Sequence, residues 1–117
     1  MSSKNAYLTI LPKGHQLHWY KIEEILGHGG FGITYLAHDI NLDQAVAIKE
    51  YFPKDIAVRH NDLSVQPISD KHQMEYYTGL QRFTLEAQTI SKVEHPNFVR
   101  VFSVFEANNS SYIIMRY

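Results

Sequence analysis

The chain carries Gly27-His28-Gly29-Gly30-Phe31-Gly32 between two apolar stretches. Before the glycines, Tyr20 to Leu26 alternates with the period of two that is typical of a strand. After them, Ile33 to Ala37 is β-branched and aromatic and has no helix cap, which favours a returning strand. The segment therefore predicts a β-hairpin closed by a tight glycine turn.

The spacing Gly27-x-Gly29-x-x-Gly32 lets backbone amides approach phosphate oxygens, and several classes of nucleotide-binding protein use it. A dinucleotide-binding turn opens directly into a helix, whereas Ile33 to Ala37 has strand composition, so that class is disfavoured. A Walker loop needs a lysine after its last glycine, and Ile33 stands there. An ordinary hairpin turn and a flexible lid over phosphates remain open on this evidence alone.

The rest of the chain predicts three more strands and one long helix. Apolar residues at steps of three and four between Met74 and Val93 mark an amphipathic helix, which Pro96 stops. Residues 53 to 73 are mixed and predict a short helical turn followed by a mobile loop. The remaining strands are expected at Ala45 to Tyr51, Val99 to Phe105 and Tyr112 to Tyr117.

Two charged residues stand where apolar ones are expected. Lys49 follows Val46-Ala47-Ile48 and should project from a largely buried strand, and a lone buried ammonium needs an anionic partner. Glu86 lies near the edge of the apolar stripe of the helix, where a carboxylate also needs a partner. We therefore expect Lys49 and Glu86 to pair beside the glycine turn, either as part of a phosphate site or as a purely structural ion pair.

Four motifs in this order resemble successive signatures of the protein kinase small lobe, with particular similarity to bacterial serine/threonine kinases. The resemblance spans about residues 17 to 117 and implies an α+β fold, a five-stranded antiparallel sheet packed against one long helix. Residues 1–17 would form an irregular N-terminal arm, and residues 18–117 the lobe, ending at the hinge. The motifs are Gly27 to Ala37, Val46 to Lys49, Glu86-Ala87 and His95-Pro96-Asn97.

The resemblance also implies roles for individual residues. Lys49, positioned by Glu86, would contact the α- and β-phosphates of ATP as the catalytic pair. Met115 would be the gatekeeper, and Arg116 would begin the hinge that binds the adenine edge. Two departures from the family pattern are Thr34 for the usual valine and Arg116 for a common acidic residue. The expected ATP-binding residues are Leu26, Gly27, His28, Gly29, Gly30, Phe31, Gly32, Thr34, Ala47, Lys49, Met115 and Arg116.

The sequence contains neither the His-Arg-Asp catalytic loop nor the Asp-Phe-Gly magnesium motif of kinases. We therefore expect a truncated lobe that binds ATP weakly, that binds magnesium only if a large lobe is supplied in trans, and that is not catalytically competent alone. The alternative is a non-catalytic, pseudokinase-like interaction module that regulates or completes a partner protein or kinase.

Composition narrows the remaining function classes. The chain has 117 residues, which suits a single domain, and it has no cysteine, so it forms no disulfide. Its formal net charge of -1 gives no basic surface for nucleic acid or an anionic membrane, so neither is expected as a partner. The histidines form no metal-binding array, so no metal site is expected. We expect a cytoplasmic protein that self-associates through apolar surface around Ile90, Val101 and Met115.

Overall fold

The computed structural model describes residues 9–93 and 100–117. The elements are β1 (Gln16–Leu17), β2 (Tyr20–His28), β3 (Gly32–Asp39), β4 (Gln44–Tyr51), β5 (Ala57–Arg59), β6 (Val65–Pro67), α1 (Gln73–Ser91), β7 (Val101–Ala107) and β8 (Ser110–Arg116). Most strands join one antiparallel six-stranded sheet in the order β1-β2-β3-β4-β8-β7, while β5 and β6 pair separately. A 3₁₀ turn over Asp70–His72 leads into the helix α1.

The predicted five antiparallel strands and single long helix are confirmed as β2, β3, β4, β7, β8 and α1. The sheet gains one strand from the predicted irregular arm, because Gln16 and Leu17 pair with Lys21 and Tyr20. The arm is therefore partly a sheet element. Residues 1–8, the rest of that arm, lie outside the described part of the chain.

The prediction for residues 53 to 73 is wrong in its middle part. Instead of a helical turn and a mobile loop, the structure has the β5–β6 hairpin, with Val58 opposite Gln66, and then the 3₁₀ turn. The hairpin turn closes through the His60 amide, which donates to the Ser64 carbonyl at 2.8 Å. Strands of three residues are too short to show periodicity, which is why the pattern was not visible.

The two faces of the sheet have different surroundings, because successive side chains of a strand point to opposite sides. We call the face that carries Tyr35, Ile48 and Ile114 the outer face; these three side chains are buried in the core. The sheet is strongly curled, since the rings of Tyr20 on β2 and Phe105 on β7 come within 6.3 Å across the strand order. The arm and the β5–β6 hairpin supply further core residues.

The opposite side of the sheet, which carries Ala47, Lys49 and Tyr51, is the inner face. Helix α1 packs at its edge: the Tyr51 hydroxyl donates to the Tyr76 carbonyl at 2.8 Å. The buried helical residues Tyr76, Leu80 and Ala87 belong to the predicted apolar stripe, whereas Ile90 of the same stripe is 49% exposed. The helix ends at Ser91, and Pro96 falls among residues 94–99, outside the described ranges. Within the described ranges, no helix combines the length and apolarity needed to cross a membrane.

Candidate functional site

The glycine-rich turn joins β2 to β3 as a hairpin, and no helix begins at Gly32. The Gly29 amide donates to the Gly32 carbonyl at 2.9 Å and closes the turn. The tip is fastened to the chain after β4, where the Phe52 amide donates to the Phe31 carbonyl at 3.0 Å. The Phe31 side chain is 79% exposed. The predicted hairpin is thus present, with an open tip.

The glycines of this turn differ in whether the fold itself requires glycine at their positions. At Gly32 a Cβ would lie 2.7 Å from the Glu50 carbonyl oxygen, so the close approach of β3 to β4 excludes any side chain. At Gly27 and Gly30 a Cβ would meet nothing within 4 Å, and at Gly29 only the Gly32 carbonyl oxygen at 3.8 Å. Gly27, Gly29 and Gly30 also have no positive φ. Folding alone therefore does not require glycine at these three positions.

Strand register brings several predicted site residues together on the inner face. Thr34 of β3 lies opposite both Gly27 of β2 and Lys49 of β4. Directly opposite residues of antiparallel strands share a face, so these three form a row under the turn. The Cε atom of Lys49 lies 3.5 Å from the position that a Cβ on Gly32 would occupy. The Lys49 side chain, which carries the ammonium group, thus runs along the base of the glycine turn.

A second group of predicted site residues lies where β4 pairs with the end of β8. Ala47 is buried and lies opposite Met115, while Val46 lies opposite Arg116. The Arg116 amide donates to the Arg100 carbonyl at 2.9 Å, and its side chain is exposed. Leu26, another of the expected ATP-binding residues, lies at the register shift between Ile25 and Gly27 and is 42% exposed.

The predicted ion pair between Lys49 and Glu86 is not formed in this structure. Both side chains are exposed, and the ion pairs found among the described residues are Arg59–Glu50 and His38–Asp43. The expectation that each charge is buried and needs the other was wrong, because both residues are exposed. An exposed ammonium is hydrated and needs no protein partner.

Glu86 lines a different space from the Lys49 row. A groove of about 620 Å³ runs between the turn tip at Phe31, the end of β4 at Tyr51 and the exposed side of α1. Phe83 and Glu86 line its helical wall. The predicted nucleotide residues Ala47, Lys49 and Met115 are not among the lining residues.

The outer face holds a charged cluster that sequence reasoning missed. The Glu50 carboxylate accepts from Arg59 Nη2 at 2.6 Å, from the Tyr35 hydroxyl at 2.8 Å and from the Tyr112 hydroxyl at 2.5 Å. The side chains of Glu50 and Arg59 are both 0% exposed. A signal was available: Glu50 continues the alternation of Val46 and Ile48 and therefore shares their buried face.

The surroundings of this cluster shift the ionisation of its members. Burial, reinforced by the Glu50 charge, raises the pKa of the Tyr35 and Tyr112 hydroxyls, which keeps them protonated as donors. Burial alone lowers the pKa of Arg59, but the Glu50 charge and hydrogen bond act in the opposite direction and the net shift is upward. The cluster is therefore a charged, fully bonded unit inside the core.

The remaining predictions concern the His95-Pro96-Asn97 motif and metal binding. His95-Pro96-Asn97 falls among residues 94–99, outside the described residues. In the portions of the chain that the structure describes, no three His, Asp or Glu side chains are grouped as metal ligands require.

The sequence and the fold are similar to those of known proteins. PrkC of Bacillus subtilis, a serine/threonine-protein kinase, is 33% identical over 98 residues, which is 84% of this chain and 12% of PrkC. PknB of Mycobacterium leprae, also a serine/threonine-protein kinase, is 34% identical over 102 residues, covering 84% of this chain and 14% of PknB. No family model matches the chain.

Solved structures agree with these relatives. The apo form of PpkA-294 superimposes with a TM-score of 0.90 at 34% identity, covering 93% of this chain and 39% of that one. The Mycobacterium tuberculosis PknI kinase domain superimposes with a TM-score of 0.63 at 20% identity, covering 92% and 36%.

The fold is that of a protein kinase small lobe. Over this lobe the chain is a homologue of bacterial serine/threonine protein kinases. It spans 12% and 14% of the length of the two curated relatives above.

Proposed function

We propose that this chain is the ATP-binding small lobe of a serine/threonine protein kinase and that it does not transfer phosphate on its own. One observation carries the proposal: the glycine turn and Lys49 lie on the same face of the sheet, with Lys49 Cε 3.5 Å from the position of a Cβ on Gly32. An ammonium at the base of an open glycine turn is the arrangement that phosphate groups of a nucleotide need.

The residues of the inner face fit a nucleotide in chemistry and in shape. Gly27, Gly29 and Gly30 leave space that no packing or backbone requirement of this fold explains. A phosphate approaching the backbone amides would account for it. Lys49 would bind the phosphates, and Ala47 with Thr34 would form an apolar floor for the base.

Phosphoryl transfer needs groups that these 117 residues do not contain. The inner-face row of Gly27, Thr34 and Lys49 carries no carboxylate to hold magnesium, and no His-Arg-Asp segment supplies a base. A large lobe, from elsewhere in a longer protein or in trans, would provide both. The two lobes together would transfer the γ-phosphoryl group of ATP to a serine or threonine of a protein, in the cytoplasm.

Calorimetric titration with ATP tests the proposal. Lys49→Met should lower ATP affinity at least about tenfold, because a hydrogen bond to a charged group contributes roughly 1.5–3 kcal/mol. Lys21→Met is the matched control, since Lys21 is an exposed lysine on β2 and should leave affinity unchanged. Equal affinities for both variants would contradict the assignment of Lys49.

Gly27→Val provides an independent arm of the same titration. A Cβ at this position would meet no atom within 4 Å, so the fold should persist. The valine would occupy the space assigned to the phosphates, and ATP affinity should fall. A stable Gly27→Val variant that binds ATP normally would remove the main reason to regard the turn as a phosphate lid.

A second candidate is a non-catalytic interaction module, and one observation favours it. Lys49 and Glu86 form no ion pair in this structure, and Glu86 instead lines the groove beside α1. A lobe that only binds a partner would need no such pair. Failure of the wild-type chain to bind ATP, together with tight binding to a separate large lobe or kinase, would favour this candidate.

Self-association remains a prediction of either candidate. Ile90 is 49% exposed, and Val101 and Met115 are half-buried at the side where a large lobe would pack. Apolar surface of this kind marks an interface. Sedimentation should show a concentration-dependent increase in mass, and Ile90→Lys should reduce it.

A further inference from the structure

One hydrogen bond fastens the helix to the strand that carries Lys49. The Tyr51 hydroxyl donates to the Tyr76 carbonyl at 2.8 Å in a buried setting, and the Tyr51 and Tyr76 rings lie 5.3 Å apart. Burial, with a smaller contribution from the Glu75 charge, raises the pKa of Tyr51 to about 12, so the hydroxyl remains a donor at neutral pH.

The helix has a notch that receives this tyrosine. A Cβ on Gly79 would collide with the Tyr51 hydroxyl oxygen and lie 3.2 Å from its Cζ atom. Glycine within a helix is less favourable than alanine, so its presence at mid-helix needs a reason. The seated tyrosine is that reason, and no other atom is brought as near to this position.

The contact lies on the same sides of both elements as the two predicted catalytic residues. Glu86 follows Gly79 by seven positions, which is about two helical turns, and both line the same groove. Lys49 precedes Tyr51 by two positions and so shares its face of β4. The Tyr51 contact is therefore where the element carrying Glu86 meets the element carrying Lys49.

Among the described residues, the hydrogen bonds from other elements to α1 fall in its first half. The Tyr76 hydroxyl donates to the Asn109 carbonyl at 2.6 Å, and Asn109 Nδ2 donates to the Tyr77 hydroxyl at 3.0 Å. In the second half, Ala87 is buried and the Phe83 ring packs 5.4 Å from the Tyr51 ring. Within the described residues, the half that carries Glu86 is thus held by packing, and part of that packing is against Tyr51 itself.

We propose that Tyr51, seated in the notch at Gly79, is a positioning residue: it is the pivot on which α1 rests and it sets how near Glu86 can come to Lys49. This rests on the proposed nucleotide function of Lys49 and adds to it a fixed point between strand and helix. Closing the Lys49–Glu86 gap then requires the second half of α1 to turn about Tyr51, rather than the whole helix to slide.

The test measures helix position directly and uses a double-mutant cycle. The chain has no cysteine, so cysteines introduced at Leu42 and Leu85, which are 68% and 65% exposed, can carry spin labels without background. The distance distribution between the labels is recorded for the otherwise unchanged chain, Gly79→Ala, Tyr51→Phe, the Gly79→Ala/Tyr51→Phe double variant and Thr78→Ala. Thr78→Ala is the control because it adds alanine at an exposed neighbouring position.

Gly79→Ala should shift or broaden the label distance, because the new methyl group displaces the tyrosine hydroxyl. The double variant should largely restore the original distance, because the colliding oxygen is gone. Thr78→Ala should leave it unchanged. A purely structural role for glycine would give no such rescue, since removing the tyrosine hydroxyl would only add to the damage.

ATP titration of the same variants separates this proposal from the proposed function. If Lys49 binds ATP, affinity should fall in Gly79→Ala and recover in the double variant. If no variant binds ATP, the proposed function fails while the label distances still decide whether Tyr51 is a pivot. An unchanged label distance in folded Gly79→Ala would overturn the pivot. If Gly79→Ala does not fold, an unchanged distance in Tyr51→Leu, which removes the ring seated in the notch, would do the same.

Discussion

Lys49 and Glu50 are consecutive residues of β4 with opposite charges and opposite surroundings. Glu50 points to the outer face, where its carboxylate is fully buried and accepts three hydrogen bonds. Lys49 points to the inner face, where it is exposed and has no ion pair within the described residues. The comparison shows how one strand can be locked on one side and leave a free charge on the other.

The outer face is rigid because several separate segments meet there. The Leu11 amide of the arm donates to the Tyr35 hydroxyl at 3.0 Å, and Arg59 Nε donates to the Thr9 carbonyl at 3.0 Å. The arm and the β5–β6 hairpin thus close over Glu50. Because Glu50 is held from all sides, the register of β4 is fixed, and Lys49 is delivered to one place on the inner face.

Removing Arg59 should break the outer face most severely. Arg59→Met leaves the Glu50 carboxylate buried without a counter-charge, and breaking a buried pair in this way costs about 3–5 kcal/mol. The free energy of unfolding, measured by urea titration, should fall by that amount. Arg82→Met, at an exposed helical arginine, is the control and should change stability by no more than about 0.5 kcal/mol. Equal effects would show that the cluster contributes little.

Removing a single hydroxyl from the same cluster should have a smaller effect. Tyr112→Phe deletes one donor to Glu50, and a hydrogen bond to a charged group contributes about 1.5–3 kcal/mol. It also leaves the Asn108 side chain without the oxygen that accepts its amide. Tyr117→Phe, at a tyrosine that is 66% exposed, should be neutral in the same urea titration. A neutral Tyr112→Phe would argue that Glu50 relies on Arg59 alone.

The sequence predicted the inner face better than the outer one. The glycine turn, the strand that carries Lys49 and the helix that ends before Pro96 follow from local patterns of glycine, apolar period and proline. The strands and the helix form where expected. The row of Gly27, Thr34 and Lys49 follows from hairpin register once the strands are known.

What could not be predicted depends on contacts between distant segments. Arg59 reaches Glu50 through a hairpin of three-residue strands, and the Thr9 carbonyl is fifty positions away from Arg59 in sequence. No local pattern encodes such a contact. The predicted Lys49–Glu86 pair is absent for a related reason: both residues lie on the expected elements, but their separation depends on how α1 packs on the sheet, which no local pattern encodes.

Acidification should weaken the arm that covers the outer face. Burial, followed by the Arg59 charge, lowers the pKa of His15 below 6.5, with the Glu50 charge acting in the opposite direction. The unfolded chain therefore binds a proton at higher pH than the folded one. The stability that neutral His15 provides is complete at pH values above the pKa of His15 in the unfolded chain. It is lost as the pH falls below that pKa.

The variant His15→Gln should reveal this contribution. The loss of thermal stability between about pH 7.5 and about pH 5.5 should be smaller in His15→Gln than in the unchanged chain. His60→Gln, at an exposed histidine, should retain the full loss. Identical pH profiles for His15→Gln and the unchanged chain would mean that His15 titrates alike in the folded and unfolded states.

Substitutions on the inner face should have the smallest effect on the free energy of unfolding. A near-zero effect would be informative. Because Lys49 and Glu86 are exposed and unpaired, Lys49→Met and Glu86→Gln should each change the free energy of unfolding by no more than about 0.5 kcal/mol. Their double-mutant cycle in urea should show a coupling energy near zero without nucleotide. If ATP draws the two charges together, the same cycle at saturating ATP should show a measurable coupling. Strong coupling without ATP would mean that the pair already exists in solution.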